Sequence, residues 1–239
     1  MIAAGINMEL VEGELVGIVG VNGVGKSTFL RTISGVQPAL KGKIFIEQKD
    51  RETIAAPKLA SLISLVLTNQ PISKNLRVAE LVALGRQPYT NWIGSVTEAD
   101  KQQIRKALEL VNIEEIQHKR CYELSDGQLQ KVLIARALAQ DTPVVILDEP
   151  TSHLDMYHKA QVLKLLKRLS QQTNKAILFA THEVNLAIQL CDKIILMQEN
   201  EIVQGNPEQL ISESAFDSMF PSDLIYFDSG SQSFRIKTT

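Results

Sequence analysis

The sequence predicts an α/β fold built on a mostly parallel sheet, and three observations carry that expectation. Short, strongly apolar runs alternate with stretches of helical periodicity along the 239 residues. One such run, Leu15–Val19, leads into a glycine-rich loop, and another, Val144–Leu147, ends in two carboxylates. Between Pro71 and Gln140 the strand signal fades and helical spacing takes over, which points to a helical subdomain inserted in the sheet.

Leu15–Val19, Leu62–Leu67, Val144–Leu147, Ala176–Ala180 and Lys193–Met197 are predominantly apolar, as expected of strands buried on both faces. Gly42–Glu47 and Glu201–Gln204 are more polar and are expected to form a smaller antiparallel β piece. Three sets fall on single helix faces: Val78, Leu81 and Val82; Ile104, Leu108 and Val111; Leu129, Val132 and Leu133. The tail, Leu224–Ile236, has two apolar runs around Asp228-Ser-Gly-Ser231, the pattern of a β-hairpin. The expected division is therefore a core of residues 1–70 and 140–223, a helical subdomain of 71–139, and a C-terminal extension of 224–239.

Twenty-five basic residues against 27 acidic ones leave the chain near neutrality, and with no basic stripe a nucleic-acid partner is not expected. The two cysteines, Cys121 and Cys191, are far apart and fit buried, reduced thiols in the cytosol. No apolar run approaches the ~20 residues that cross a bilayer, so a membrane role is expected to come through a partner. The start, Met1-Ile-Ala-Ala-Gly, lacks the basic segment of a secretory signal.

The run from Gly20 to Ser27 reads G-x-x-x-x-G-K-S, a phosphate-binding P-loop, set between a strand and a helix as that motif requires. Glycines allow a tight turn whose amides face inward around an anion, and the following helix adds its positive end. Asn22, Gly23, Val24, Gly25, Lys26, Ser27 and Thr28 are the candidate nucleotide-binding set. Lys26 can reach the terminal phosphates, and the Ser27 hydroxyl can bind Mg2+. The second half of the site is Asp148-Glu149-Pro150, at the carboxyl end of a strand where parallel sheets bind ligands. Asp148 is the candidate Mg2+ ligand, and Glu149 is placed to take a proton from an attacking water.

Leu124-Ser125-Asp126-Gly127-Gln128 resembles the LSGGQ signature of the ATP-binding-cassette (ABC) ATPases. The P-loop, this signature, Asp148-Glu149-Pro150, Ser152-His-Leu-Asp155 and His182 follow the family's order, and Gln70 looks like its Q-loop glutamine. The resemblance spans nearly the whole chain and implies a RecA-like P-loop NTPase core that hydrolyses ATP. It also implies a homodimer in which two chains pair head to tail, each ATP lying between Lys26 of one and Ser125, Gly127 and Gln128 of the other. In that reading Ser27, Asp148 and Gln70 serve Mg2+, Glu149 is the general base, His182 contacts the γ-phosphate and Asp155 couples the two sites.

The segments Val82–Tyr89 and Trp92–Asp100 look like those of the iron-siderophore, haem and cobalamin importer ATPases. This implies separate integral-membrane permeases, an indirect link to a substrate-binding protein, and a peripheral position on the cytoplasmic face of the inner membrane. The competing class is a soluble ABC-type ATPase for iron–sulfur cluster assembly or another non-transport role. A regulatory module without turnover is a third reading, disfavoured by the intact Lys26, Glu149 and His182.

Two departures from the family pattern stand out. Asp126 replaces a glycine of the signature, where a carboxylate suits a first helical turn but repels a nearby phosphate. No Phe, Tyr or Trp precedes Lys26, so neither the upstream strand nor the aromatic that stacks on adenine is found. Either Met1 is a late start, the preferred explanation, or the chain binds ATP less tightly and less selectively.

Overall fold

The alternating apolar runs fold as one twisted sheet with helices on both faces. The protein, a computed structural model, is described over residues 6–68, 72–90, 94–198, 202–221 and 223–237. The chain runs β1 (Leu15–Val19), α1 (Lys26–Ile33), β2 (Phe45–Ile46), β3 (Lys49–Asp50), α2 (Ala56–Leu59), β4 (Ile63–Val66) and α3 (Val78–Ala83). Next come α4 (Glu98–Leu110), α5 (Asp126–Ala139), β5 (Val144–Asp148), α6 (Met156–Thr173), β6 (Ala176–Thr181), α7 (Val184–Leu190) and β7 (Lys193–Met197). The last elements are β8 (Ile202–Gly205), α8 (Pro207–Ser212), β9 (Ile225–Asp228) and β10 (Ser233–Ile236).

The sheet order is β4-β5-β6-β1-β7-β8, with β4, β5, β6, β1 and β7 parallel and only β8 antiparallel. Strand residues alternate between two cores, as a period of two dictates. Val16, Ile18, Ile146, Leu178 and Ile195 face α1, through Leu30, and Ile46 of β2. Leu15, Val19, Leu147, Phe179 and Leu196 face the opposite layer, together with Val78, Leu108, Ile134, Leu166 and Leu210 from α3, α4, α5, α6 and α8.

One expectation is corrected. Gly42–Glu47 and Glu201–Gln204 do not form a shared antiparallel piece. Phe45–Ile46 pairs instead with Lys49–Asp50, closed by Glu47 and Gln48 with φ of 49° and 64°. Two consecutive left-handed residues make the tight turn whose twist suits a two-residue hairpin. Ile202–Gly205 joins the main sheet antiparallel to β7, Ile194 opposite Gly205 and Met197 opposite Ile202; Glu201 itself lies outside the described residues. No strand is formed by residues 6–14 ahead of β1.

Between β4 and β5 the helices are fastened by a buried ion pair. Arg86, in the 3-10 turn Leu84–Tyr89, donates from Nε to Asp100 Oδ1 at 2.8 Å and from Nη1 to the Ala139 carbonyl at 2.8 Å. Its guanidinium also lies 4.1 Å over the Tyr89 ring. Asp100 caps α4 in return, accepting from the Thr97 amide and hydroxyl at 2.9 and 2.6 Å. Gly85 is needed at the crossing, since a Cβ would stand 2.2 Å from the Arg136 carbonyl oxygen. The C-terminal hairpin β9–β10 docks by aromatic packing: Phe227 stacks on Phe216 at 5.0 Å, and Phe234 meets Phe220 edge-on at 4.9 Å. The Phe234 amide donates to Asn185 Oδ1 of α7 at 3.0 Å.

Hydrogen bonds from Thr97, aided by Arg86, pull the Asp100 carboxyl down from 3.8 to about 2. Its stabilising effect is therefore complete above its unfolded value and lost as pH falls through the folded one. Asp100→Asn leaves Arg86 buried without its counter-ion, and should cost about 3–5 kcal/mol at neutral pH. In urea unfolding, the gap between wild type and Asp100→Asn should close as pH is lowered from 4 towards 2.

Candidate functional site

The site lies at the carboxyl ends of β1, β5 and β6. β6 pairs with both of the others, Val19 opposite Thr181 and Asp148 opposite Ala180, so the loops that follow the three strands must converge. This is the crevice where strand order reverses. Gly23 and Gly25 adopt φ of 83° and 110°, the left-handed conformations that turn the loop around an anion-sized concavity. Gly20 meets a different constraint. A Cβ there would lie 2.5 Å from the Met197 carbonyl oxygen, so the loop can leave β1 only over glycine.

Lys26 is 5% exposed, and its ammonium donates to the Gly20 carbonyl at 2.8 Å and the Val21 carbonyl at 3.2 Å. Burial lowers its pKa from the ordinary lysine value, and the charges of Glu149 and Asp148 partly oppose that shift. Ser27 Oγ donates to Asp148 Oδ1 at 2.8 Å, which unites the two motifs across 121 residues. Asp148 is buried, and Thr68 donates its hydroxyl to the Asp148 carbonyl at 2.7 Å. The oxygen pair of Ser27 and Asp148 is a hard donor set that suits Mg2+ with phosphate and water completing the shell.

Glu149 has a φ of 47°, a left-handed conformation that costs a non-glycine residue about 1–2 kcal/mol. Its amide is fixed by the Ala180 carbonyl at 3.0 Å. The side chain turns towards β6, where Glu149 Oε2 lies 3.7 Å from His182 Nδ1. Glu183 Oε1 lies 3.1 Å from His182 Nε2, and Glu183 is itself ion-paired with Lys159 of α6. Asn22, Val24 and Thr28 complete the loop, and the Thr28 carbonyl accepts from the Gln37 side chain at 3.3 Å. Gln70 lies outside the described residues.

The signature residues stand apart from this cluster. Ser125 caps α5, its hydroxyl accepting from the Gln128 amide at 3.3 Å while Gln128 Oε1 accepts from the Ser125 amide at 3.2 Å. Among the described residues, no hydrogen bond or ion pair joins Ser125, Gly127 or Gln128 to the P-loop. Gly127 has an intramolecular role that its sequence did not disclose: a Cβ there would lie 3.0 Å from His158 Cδ2. Asp155 caps α6, accepting from the His158 amide at 2.9 Å. Sequence reasoning missed Thr68, His158, Lys159 and Glu183. Only His158 left a trace, as the third residue after a helix-capping aspartate.

The ABC transporter family model matches residues 3–152. The chain belongs to the ABC transporter family. It is 38% identical over 221 residues to an uncharacterised ABC transporter ATP-binding protein of Methanocaldococcus jannaschii, covering 92% of this chain and 76% of that one. It is 34% identical over 215 residues to a petrobactin import ATP-binding protein of Bacillus subtilis, covering 90% and 84%. A dimeric bacterial ABC transporter cassette superposes with a TM-score of 0.71 at 27% identity, covering 84% of this chain and 89% of that one. This ABC ATPase therefore has the family's ATP-binding and ATP-hydrolysing cassette fold. No helix among the described residues is long and apolar enough to cross a membrane.

The Gly20 crossing yields a test of the loop's anchoring. Gly20→Ala should destabilise the protein by ~1–3 kcal/mol, the usual cost of overpacking. A lower urea midpoint would register it, whereas an unchanged midpoint would show that the loop has room to shift.

Proposed function

We propose that this ABC ATPase powers import of a metal chelate of the iron-siderophore, haem or cobalamin type. It does so as a head-to-tail homodimer seated on separate permease subunits at the cytoplasmic face of the inner membrane. The observation that carries the proposal is the Ser27–Asp148 contact of 2.8 Å with Glu149 and His182 beside it, set against a signature turn that, among the described residues, makes no hydrogen bond to them. A half-site of this kind calls for a second chain to present Ser125, Gly127 and Gln128. The dimeric cassette of similar fold supports that assembly, and the petrobactin importer's ATPase supports the cargo class. The importer-like segments Val82–Tyr89 and Trp92–Asp100 point the same way.

In the proposed mechanism the loop amides from Asn22 to Thr28 grip the phosphates, and Lys26 exchanges the Gly20 and Val21 carbonyls for phosphate oxygens. Ser27 and Asp148, with Gln70, would hold Mg2+, which when bound would neutralise phosphate charge. Glu149 accepts a proton from the attacking water, and His182 steadies the γ-phosphate side of the site. Asp155 carries the state of one site to the other. The division into a core of 1–70 and 140–223, a helical subdomain of 71–139 and an extension of 224–239 gives the permease a docking surface near Gln70–Leu84. Closure of the dimer on ATP would draw the docked permease helices together.

Loss of the general base typically costs 10²–10⁴-fold in rate. Glu149→Gln should therefore bind ATP, lose steady turnover to that extent and accumulate as a dimer in size-exclusion chromatography with ATP. Wild-type turnover in this variant would remove Glu149 from the mechanism. A shared site also predicts that Lys26→Ala mixed with Ser125→Ala regains part of the activity each lacks, since one of the two mixed sites is intact; mixtures as inactive as their components would exclude it. Co-purification with a multi-span permease would support transport, and association with soluble assembly proteins alone would overturn it.

A further inference from the structure

We infer that His158 is a positioning residue that ties the Asp155 carboxylate to the signature turn at Gly127, so that the two surfaces offered to the partner protomer move as one. The inference rests on the composite dimer site proposed above. His158 makes three contacts with Asp155: its amide lies 2.9 Å from Oδ1, and its ring Nδ1 lies 2.8 and 2.9 Å from the two carboxylate oxygens. The opposite edge of the ring covers Gly127 so closely that a methyl group would stand 3.0 Å from Cδ2 and 3.5 Å from Cγ. The imidazole is thus wedged between a carboxylate and the first turn of α5.

Core packing does not account for this placement. The His158 side chain is 44% exposed, and the aspartate cap of α6 already has the backbone amide as its donor. What the ring adds is a link between the capping turn of α6 and the first turn of α5, at the ends of two helices whose bodies share one core. The next residue extends it, because Lys159 is ion-paired with Glu183, which lies 3.1 Å from His182 Nε2. One helical turn therefore touches the signature of one composite site and, through Glu183, reaches the histidine of the other.

The test uses purified full-length protein in wild-type and Glu149→Gln backgrounds, with melting temperature as the control for folding. His158→Ala should lower kcat about tenfold while KM for ATP stays within about twofold, because a misplaced group costs rate more than ground-state binding. In the Glu149→Gln background it should weaken ATP-driven dimerisation by a similar factor. His158→Asn keeps a donor for Asp155, and His158→Phe keeps a ring on Gly127. Each should recover only part of the loss, and since both can be assayed where the alanine variant fails to fold, the proposal stays open to refutation. Full recovery by either variant, or an alanine variant within twofold of wild type in kcat and dimerisation, would overturn the bridge. If Glu149→Gln itself never dimerises with ATP, the composite-site reading falls first, whatever His158 does.

Discussion

The Ser27–Asp148 hydrogen bond is the point on which the rest of the structure converges. It exists because β6 lies between β1 and β5 and holds both in register, so that two loops far apart in sequence open at one height. The buried Lys26 depends on the same arrangement. Its ammonium has lost much of its water, and the nearby carboxylates of Glu149 and Asp148 favour the charged form that desolvation penalises. A cation held this way, with its donors turned onto loop carbonyls, is poised for exchange with phosphate oxygens.

The backbone after β5 carries strain where the chemistry is proposed. Glu149 and His153 both adopt left-handed conformations, with φ of 47° and 64°, within a turn that ends at the Asp155 cap. Such conformations persist only where their surroundings hold them. Here the Ala180 carbonyl holds the Glu149 amide, and the first turn of α6 holds Asp155. On the other side of that turn the signature helix rests on His158, while the far end of α5 is held by Arg86 through the Ala139 carbonyl. The helix that carries Ser125 is thus fastened at both ends to elements that answer to the sheet.

Much of the site was legible because its signals are local. A glycine-rich loop between strand and helix announces a phosphate cradle, and the Ser125–Gln128 reciprocal cap follows from residue types three apart. The resemblance implies that Gly127 faces the partner's ATP, and in the fold Gly127 also lies against the His158 ring, a contact between residues 31 apart by number that short-range spacing does not reveal. Ile202–Gln204 likewise reads as a strand from its residues alone, yet it pairs with β7 and not with the Phe45–Ile46 hairpin. Alternation tells that a segment is a strand, whereas its partner is decided by which edge remains unpaired.

The amino-acid sequence by itself determined the fold class, the apolar strands, the P-loop, the acid pair and the family. Each of these rests on periodicity or on short-range spacing that survives without a third dimension. Tertiary structure alone decided that β8 extends the main sheet, that Arg86 and Asp100 lock the helices, and that Asp155, His158 and Gly127 form one contact. These depend on strand order and side-chain packing, and both arise from the burial of surfaces that come together only once the sheet has formed.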